Sequence, residues 1–498
     1  MGVIQRQGLK HTIISYAGVV IGLLSVIFIY PREEELYGLY TLIFSSAILC
    51  TSFFMLGFNI HAVRSFPVFK NDKNGHNGFL GLLISGGLVG FLLFLISLPL
   101  IKYLFLDILF QDSSGRELFE SYFYYLIPIV FLFIFNAIFL KYISNFHRIV
   151  VPNILDQLLI KINLPILILL FIGDYFTTDM FVKGIIFNYL VVFLGLIIYT
   201  KSLGQLHLKT KFDFIKKPLA KEMGENSVFG LLNALGSQIA TRIDTLMVAA
   251  MVSISAGGVY AIVNVISEVI NKPYKGINAI AAPIISKSWN NNDLDEIKKI
   301  YQKSSITLLV AGWFIFLGTW LSIDDLFLIM YKSEVMATGK YVILFLGLAR
   351  LFDLATSVNS FIIIYSKKFR FNFYAILVLA ILNIIFNLIF IPKYQIVGAA
   401  IATFCSLVLF NLAKLIFIWV QFKMQPFTMA TLKILIIVAI CWGGIYLIPI
   451  TFHPIVNILL RSILLTILYG GMVLYFNISP DINNLITNGL EKVRGLLK

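Results

Sequence analysis

Residues Phe79 to Ile101 read FLGLLISGGLVGFLLFLISLPLI, an apolar run without one charged side chain. A bilayer core about 30 Å thick needs roughly 20 mainly apolar residues for each helical crossing. This run meets that length. Gly86 and Gly90, preceded by Gly81 and Ser85, also give it a small-residue seam against which a second helix can lie closely. Outward from it the same texture repeats over 11–30, 39–61, 118–140, 152–172, 181–200, 228–251, 257–283, 304–323, 341–364, 372–391, 396–419, 431–450 and 456–476. The pattern predicts an all-α integral membrane protein of about 14 transmembrane helices. The run at 11–30 follows Arg6 and Lys10 in the manner of a signal peptide, but it ends at Tyr30-Pro31-Arg32 without a small-residue cleavage site. It is read as the first span.

Charge orients the bundle. With the N-terminus inside, most of the 39 Lys and Arg residues fall on inside ends and loops, including Arg64, Lys70, Lys287, Lys298 and the run from Lys201 to Lys221. Outside loops are acidic, as in Glu33-Glu34-Glu35 and Asp324-Asp325. This is the positive-inside pattern, and it places both termini in the cytoplasm. The net charge of +14 is thereby explained by topology and by contact with anionic inner-leaflet lipids. Nucleic-acid binding would call for a soluble basic domain, and no loop is long enough to be one.

The two halves echo each other. Gly38-Leu39-Tyr40 returns as Gly258-Val259-Tyr260, and Asn136, Tyr142 and Phe146 return as Asn359, Tyr365 and Phe369. Six spans per half make parallel repeats, which in transporters enclose a central path. The expected organisation is a six-helix lobe over 1–200, a basic cytoplasmic linker over 201–227, a second six-helix lobe over 228–422, and two further helices with a cytoplasmic tail over 423–498.

Four segments carry a resemblance. They are Pro31 to Tyr40, Leu56 to Pro67, Thr241-Arg242-Ile243-Asp244 with Gly257 to Tyr260, and Leu382 to Pro392 with Ile396 to Thr403. Together they resemble the multidrug/oligosaccharidyl-lipid/polysaccharide exporter superfamily, in particular its O-antigen and capsule repeat-unit flippases. The resemblance implies movement of a polyprenyl-pyrophosphate-linked oligosaccharide from the cytoplasmic to the outer leaflet of a bacterial inner membrane, alongside polysaccharide assembly proteins. Lipid II flippases of that superfamily carry charged residues in the first helix, whereas His11 to Ile21 holds no fixed charge. That departure favours other glycans.

Ionisable groups at membrane depth cost about 2.5–3.5 kcal/mol each on insertion scales, so each needs a wet cavity or a partner. Candidates are Asp156, Lys161, Arg242, Asp244, Glu268, Lys272, Lys275, Arg350, Asp353 and Lys414, in which cations outnumber carboxylates. A diphosphate path would use the substrate-binding candidates Arg242, Lys272, Lys275, Lys161 and Arg350, with Arg64 at the inner entrance, because Arg grips phosphate bidentately and Lys acts as a point charge. Asp244, Glu268 and Asp353 are candidates for coupling to a proton or sodium ion. Competing readings stand beside these. Glu268 and Lys272 can pair at i, i+4, Arg350 and Asp353 at i, i+3, and Lys414 can snorkel to the inner interface.

Cys50, Cys405 and Cys441 sit in apolar runs without pairing or metal spacing, and the six histidines are scattered. No Walker loop and no H-E-x-x-H occurs, so the sequence predicts a transporter rather than an enzyme, with no cofactor or metal. A cation-coupled multidrug exporter is the alternative within the superfamily. A membrane glycan polymerase or ligase is the alternative outside it, and it would need a larger outside loop than 102–117.

Overall fold

The computed structural model describes residues 17–483 except 111–114, 149, 211–213, 215–216 and 449–450. Part of the first expected span and the C-terminal tail, with Arg6, Lys10, Lys492 and Arg494, lie outside the described residues. All regular secondary structure among the described residues is helical. Lipid demands this, because a crossing segment must satisfy every backbone N–H and C=O within itself.

Among the described residues, eleven helices are long and apolar enough to cross a membrane, against the fourteen expected. Three places account for the difference. Of the first expected span, 11–30, the described residues include only 17–30, with α1 (Ala17–Phe28) as their helix. The seventh begins early, at Lys217, and its first turns carry Lys221, Glu222 and Glu225. The eleventh and twelfth form one helical stretch, Arg370–Phe422, which is broken at Gln395 by φ 51° and ψ −128°.

The chain forms two compact units, 1–261 and 262–498. In the first, α2 (Glu34–Phe54), α3 (Phe79–Lys102), α4 (Leu126–Ser144), α5 (Leu159–Ile172), α6 (Thr178–Ser202) and α7 (Lys217–Met251) pack together with the start of α8 (Ile254–Glu268). Glycines set the closest approaches. A Cβ on Gly90 would stand 1.8 Å from the Phe54 carbonyl oxygen, so the seam on α3 admits the end of α2 directly.

A second close contact joins the repeats. A Cβ on Gly38 would lie 2.0 Å from the Ile254 oxygen, and one on Gly258 would lie 1.9 Å from the Glu34 oxygen. Each glycine therefore faces the carbonyl four residues before the other, which is the reciprocity of a local two-fold axis. The sequence-equivalent glycines of the two halves touch.

The loop after α6 is docked rather than loose. His76 Nε2 meets Gln205 Oε1 at 2.6 Å, and the Tyr142 hydroxyl donates to the Gln205 carbonyl at 3.2 Å. His61 joins the short helix Phe58–Arg64 to α7 through Ser227 Oγ at 2.9 Å.

In the second unit, α9 (Lys272–Asn290), α10 (Leu294–Leu321), α11 (Lys340–Thr356), α12 (Asn359–Ile364) and α13 (Arg370–Phe422) are followed by α14 (Met429–Tyr446) and α15 (Pro454–Tyr475). The last two pack on α10 through Leu309, Leu317, Ile437, Cys441, Leu465 and Tyr469. One polar lock accompanies this apolar seam. Buried Asp325 receives Arg461 Nη1 at 2.5 Å and the Asn457 amide at 2.7 Å, and Arg461 also donates to the Leu321 carbonyl at 2.7 Å. Breaking such a buried pair costs about 3–5 kcal/mol because the surviving charge stays desolvated. Asp325→Ala is therefore expected to lower the melting temperature in detergent sharply and to open the buried Cys441 thiol to maleimide. An unchanged melting temperature with a silent Cys441 would show that the lock holds nothing.

Candidate functional site

One face of α2 presents Tyr37, Tyr40 and Phe44 at i, i+3 and i+7, the spacing that aligns side chains along a helix. Tyr30 stacks on Tyr37 with centroids 4.3 Å apart, and Tyr40 stacks on Phe44 at 5.5 Å. Phe133 of α4 stands edge-on to Phe44 and to Tyr189 of α6, at 5.6 and 4.7 Å. Into this aromatic wall α7 places Arg242, its guanidinium carbon 5.3 Å from the Phe44 centroid. The same charge acts on the hydroxyls of Tyr40 and Tyr189. A cation on an aromatic face gains about 0.5–1 kcal/mol exposed and about 2 when desolvated.

Arg242 thus rests on the Phe44 ring and, among the described residues, makes no ion pair with a carboxylate, which leaves its N–H fork open to an anion. Asp244, two residues on, is buried and receives the Tyr260 hydroxyl at 3.2 Å. The repeat-equivalent tyrosines, Tyr40 and Tyr260, therefore attend Arg242 and Asp244 respectively. Half-buried Asp156 sits in the π-helical turn Ile154–Leu158, and its charge acts on Tyr189. Lys161 of α5 lies beside α1, where a Cβ on Gly18 would be 3.4 Å from its amine.

The other candidates divide into two groups. Arg64, Glu268, Lys272 and Lys275 are exposed. Lys272 and Lys275 stand three apart at the start of α9, while a 3-10 turn at Val269–Asn271 shifts the register of Glu268, at the end of α8, relative to them. The reading that Glu268 and Lys272 pair is not met: among the described residues no ion pair joins them.

Arg350 and Asp353 lie half-buried on α11 without pairing to each other. Asp353 instead receives the Asn411 amide at 3.1 Å, and Arg350 Nε has no acceptor. Lys414 corrects the sequence reading most plainly. Expected at the interface, it is 1% exposed, with its amine 2.8 Å from Ser360 Oγ and 3.8 Å from the Phe410 centroid.

Among the described residues, Arg64, Arg242, Lys272, Lys275 and Arg350 make no ion pair. Each such unpaired guanidinium or ammonium can take an anionic ligand. Tyr40, Phe44 and Tyr189 were missed by the sequence reading, although the α2 spacing marked the first two.

Residues 9–289, more than half of the chain, match the profile of a family described as polysaccharide biosynthesis protein. The chain belongs to the polysaccharide biosynthesis protein family. Residues 231–389 also match the MatE family.

Among solved structures, "Lipid II flippase MurJ, inward closed conformation" aligns at 16% identity and TM-score 0.72, covering 94% of this chain and 98% of that one. An inward-facing multidrug resistance MATE family transporter of the MOP superfamily aligns at 14% and 0.63, covering 82% and 94%. A point mutant of the Vibrio cholerae MATE transporter VcmN aligns at 13% and 0.53, covering 85% and 98%. A search of curated proteins finds no match. At these identities the structural likeness establishes the fold alone, the one shared by these MurJ and MATE structures, and with its membrane-length helices this polysaccharide biosynthesis protein is a multi-pass membrane protein.

The Arg242–Phe44 contact is open to a double-mutant test. Phe44→Leu keeps apolar volume but removes the ring, and Arg242→Met removes the charge. Each is expected to alter stability by about 0.5–2 kcal/mol, and the double variant by less than the two effects added. Strict additivity of the melting-temperature shifts would mean that the contact carries no energy.

Proposed function

We propose that this protein is a flippase carrying polyprenyl-pyrophosphate-linked oligosaccharide repeat units from the cytoplasmic to the outer leaflet for surface polysaccharide assembly. The observation that carries the reading is Arg242, on an aromatic wall at membrane depth without a carboxylate. A diphosphate supplies the missing anion and accepts bidentate hydrogen bonds from the guanidinium fork. Lys272 and Lys275, exposed at the break between α8 and α9, offer point charges to the headgroup at another stage of its passage. Lys161, Arg350 and Arg64 extend the set, with Arg64 at the inner entrance. Family membership over residues 9–289 supports the choice of glycan.

The membrane is the bacterial cytoplasmic one, with both termini inside, because basic loops gather on one side of the spans. Two lobes then alternate access to the headgroup site, and inner-leaflet anionic lipids meet the basic loops. Polysaccharide assembly proteins are the expected receivers. Coupling falls to Asp244, Glu268 or Asp353 through a proton or sodium ion. The name of the MurJ neighbour concerns lipid II; the uncharged first span here favours other glycans. The MatE match over residues 231–389 favours a second reading, a cation-coupled multidrug exporter. Cationic drugs call for acidic cavities, and the unpaired cations weigh against it.

Arg242→Ala, and Lys272→Ala with Lys275→Ala, are expected to reduce surface polysaccharide at least about tenfold, the scale of one lost charge-assisted contact, with normal protein levels in the membrane. Wild-type amounts of surface polysaccharide in these variants would refute the headgroup assignment. Drug efflux by the wild type, with no effect on polysaccharide, would favour the exporter.

A further inference from the structure

In the second unit α11 ends at Thr356, and the chain turns at Ser357 with φ 48° and ψ −123° before α12 begins. A positive φ is a costly conformation for serine and persists only where its surroundings impose it. Ser357 Oγ donates to Ser304 Oγ at 2.8 Å, and the Tyr274 hydroxyl donates to the Ser357 carbonyl at 3.3 Å.

A hydrogen-bond chain crosses this break in one direction. The Lys414 amine donates to Ser360 Oγ at 2.8 Å, and the Ser360 hydroxyl donates to Asn359 Oδ1 at 3.3 Å. The Asn359 amide donates to Asn411 Oδ1 at 3.0 Å, and the Asn411 amide donates to Asp353 Oδ1 at 3.1 Å. Thr356 Oγ1 adds a lateral bond to Asn411 Oδ1 at 3.1 Å. Its ends fix its direction, because an ammonium only donates and a carboxylate only accepts.

We infer that Lys414 and Asp353 are the two ends of one relayed ion pair that closes the break between α11 and α12, which makes Lys414 the positioning residue for Asp353. The inference deepens the ion-coupling part of the proposed function and rests on it. Lys414 is buried with one hydrogen-bond acceptor and one ring, and among the described residues no carboxylate touches it. The carboxylate at the far end of its hydrogen-bond chain is Asp353. The other ionisable groups near the carboxylate are Arg350, one turn back on α11, and Tyr274 of α9, with Tyr301 of α10 beyond it. An ion or proton arriving at Asp353 competes with the Asn411 amide for the carboxylate. The relay then loses its fixed direction, and the Ser357 turn loses one of the constraints that span it, keeping those from Ser304 and Tyr274.

Backbone hydrogen–deuterium exchange over residues 356–364 in purified, substrate-free protein tests this. Lys414→Met leaves half-buried Asp353, and Asp353→Asn leaves buried Lys414, without its opposite charge, and each is expected to speed exchange there roughly tenfold, the scale of a lost charged hydrogen bond. Lys414→Arg keeps the donor and is expected to stay near wild type. The double variant, with no charge left over, is expected to return towards wild type. If a single variant fails to fold, recovery of a folded double variant is the same result. Acceleration in the double variant equal to the sum of the singles, or none in either single, would overturn the relay. No substrate enters this measurement, so loss of the flippase reading would appear separately, as a wild-type protein without effect on surface polysaccharide.

Discussion

A charge inside a bilayer must be balanced, kept wet or given a task, and that constraint governs this structure. Among the described residues Arg242 meets it without a carboxylate, on the Phe44 face. Such a setting stabilises a guanidinium modestly and leaves its donors unsatisfied until an anion arrives. Had a carboxylate taken the fork, the residue would be a strut. Lys414 meets the same constraint differently, through a chain of neutral side chains that carries its charge to Asp353. One solution keeps a cation available, while the other holds a cation in place.

The backbone obeys a parallel rule. Helices crossing lipid satisfy their own polar groups, so their contacts are decided by how closely two backbones can approach. Gly38 and Gly258 allow carbonyl-to-glycine contact in both directions. The contact brings the repeat-equivalent tyrosines of α2 and α8 to the same stretch of α7, one to its cation and the other to its anion. A side chain at either glycine would separate the helices and move both tyrosines from their charges.

Much of this was legible in the sequence. Apolar length gave the all-helical membrane fold, and the G-L-Y and G-V-Y echoes marked the residues that meet. Charge at depth singled out Arg242 and Asp353. What the sequence hid was partnership. Nothing local to Arg461 points to Asp325, 136 residues away in the chain, yet it fastens α15 to that buried carboxylate. Lys414 stood near the end of an apolar run, where a flexible side chain is expected to reach water, but Ser360 and Phe410 enclose it. Glu268 and Lys272 have the spacing of an α-helical pair, but the 3-10 turn at Val269–Asn271 changes the register between them. Spacing predicts neighbours within one helix; burial depends on the helices packed around it, and no local pattern encodes that.

Native mass spectrometry of the wild-type protein, released from the membrane in mild detergent, addresses the central claim most directly. If uncompensated cations at depth exist to hold a diphosphate, a prenyl-diphosphate glycan will stay bound and appear as a discrete mass adduct. A spectrum carrying only phospholipids, from cells that are making that glycan, would contradict it.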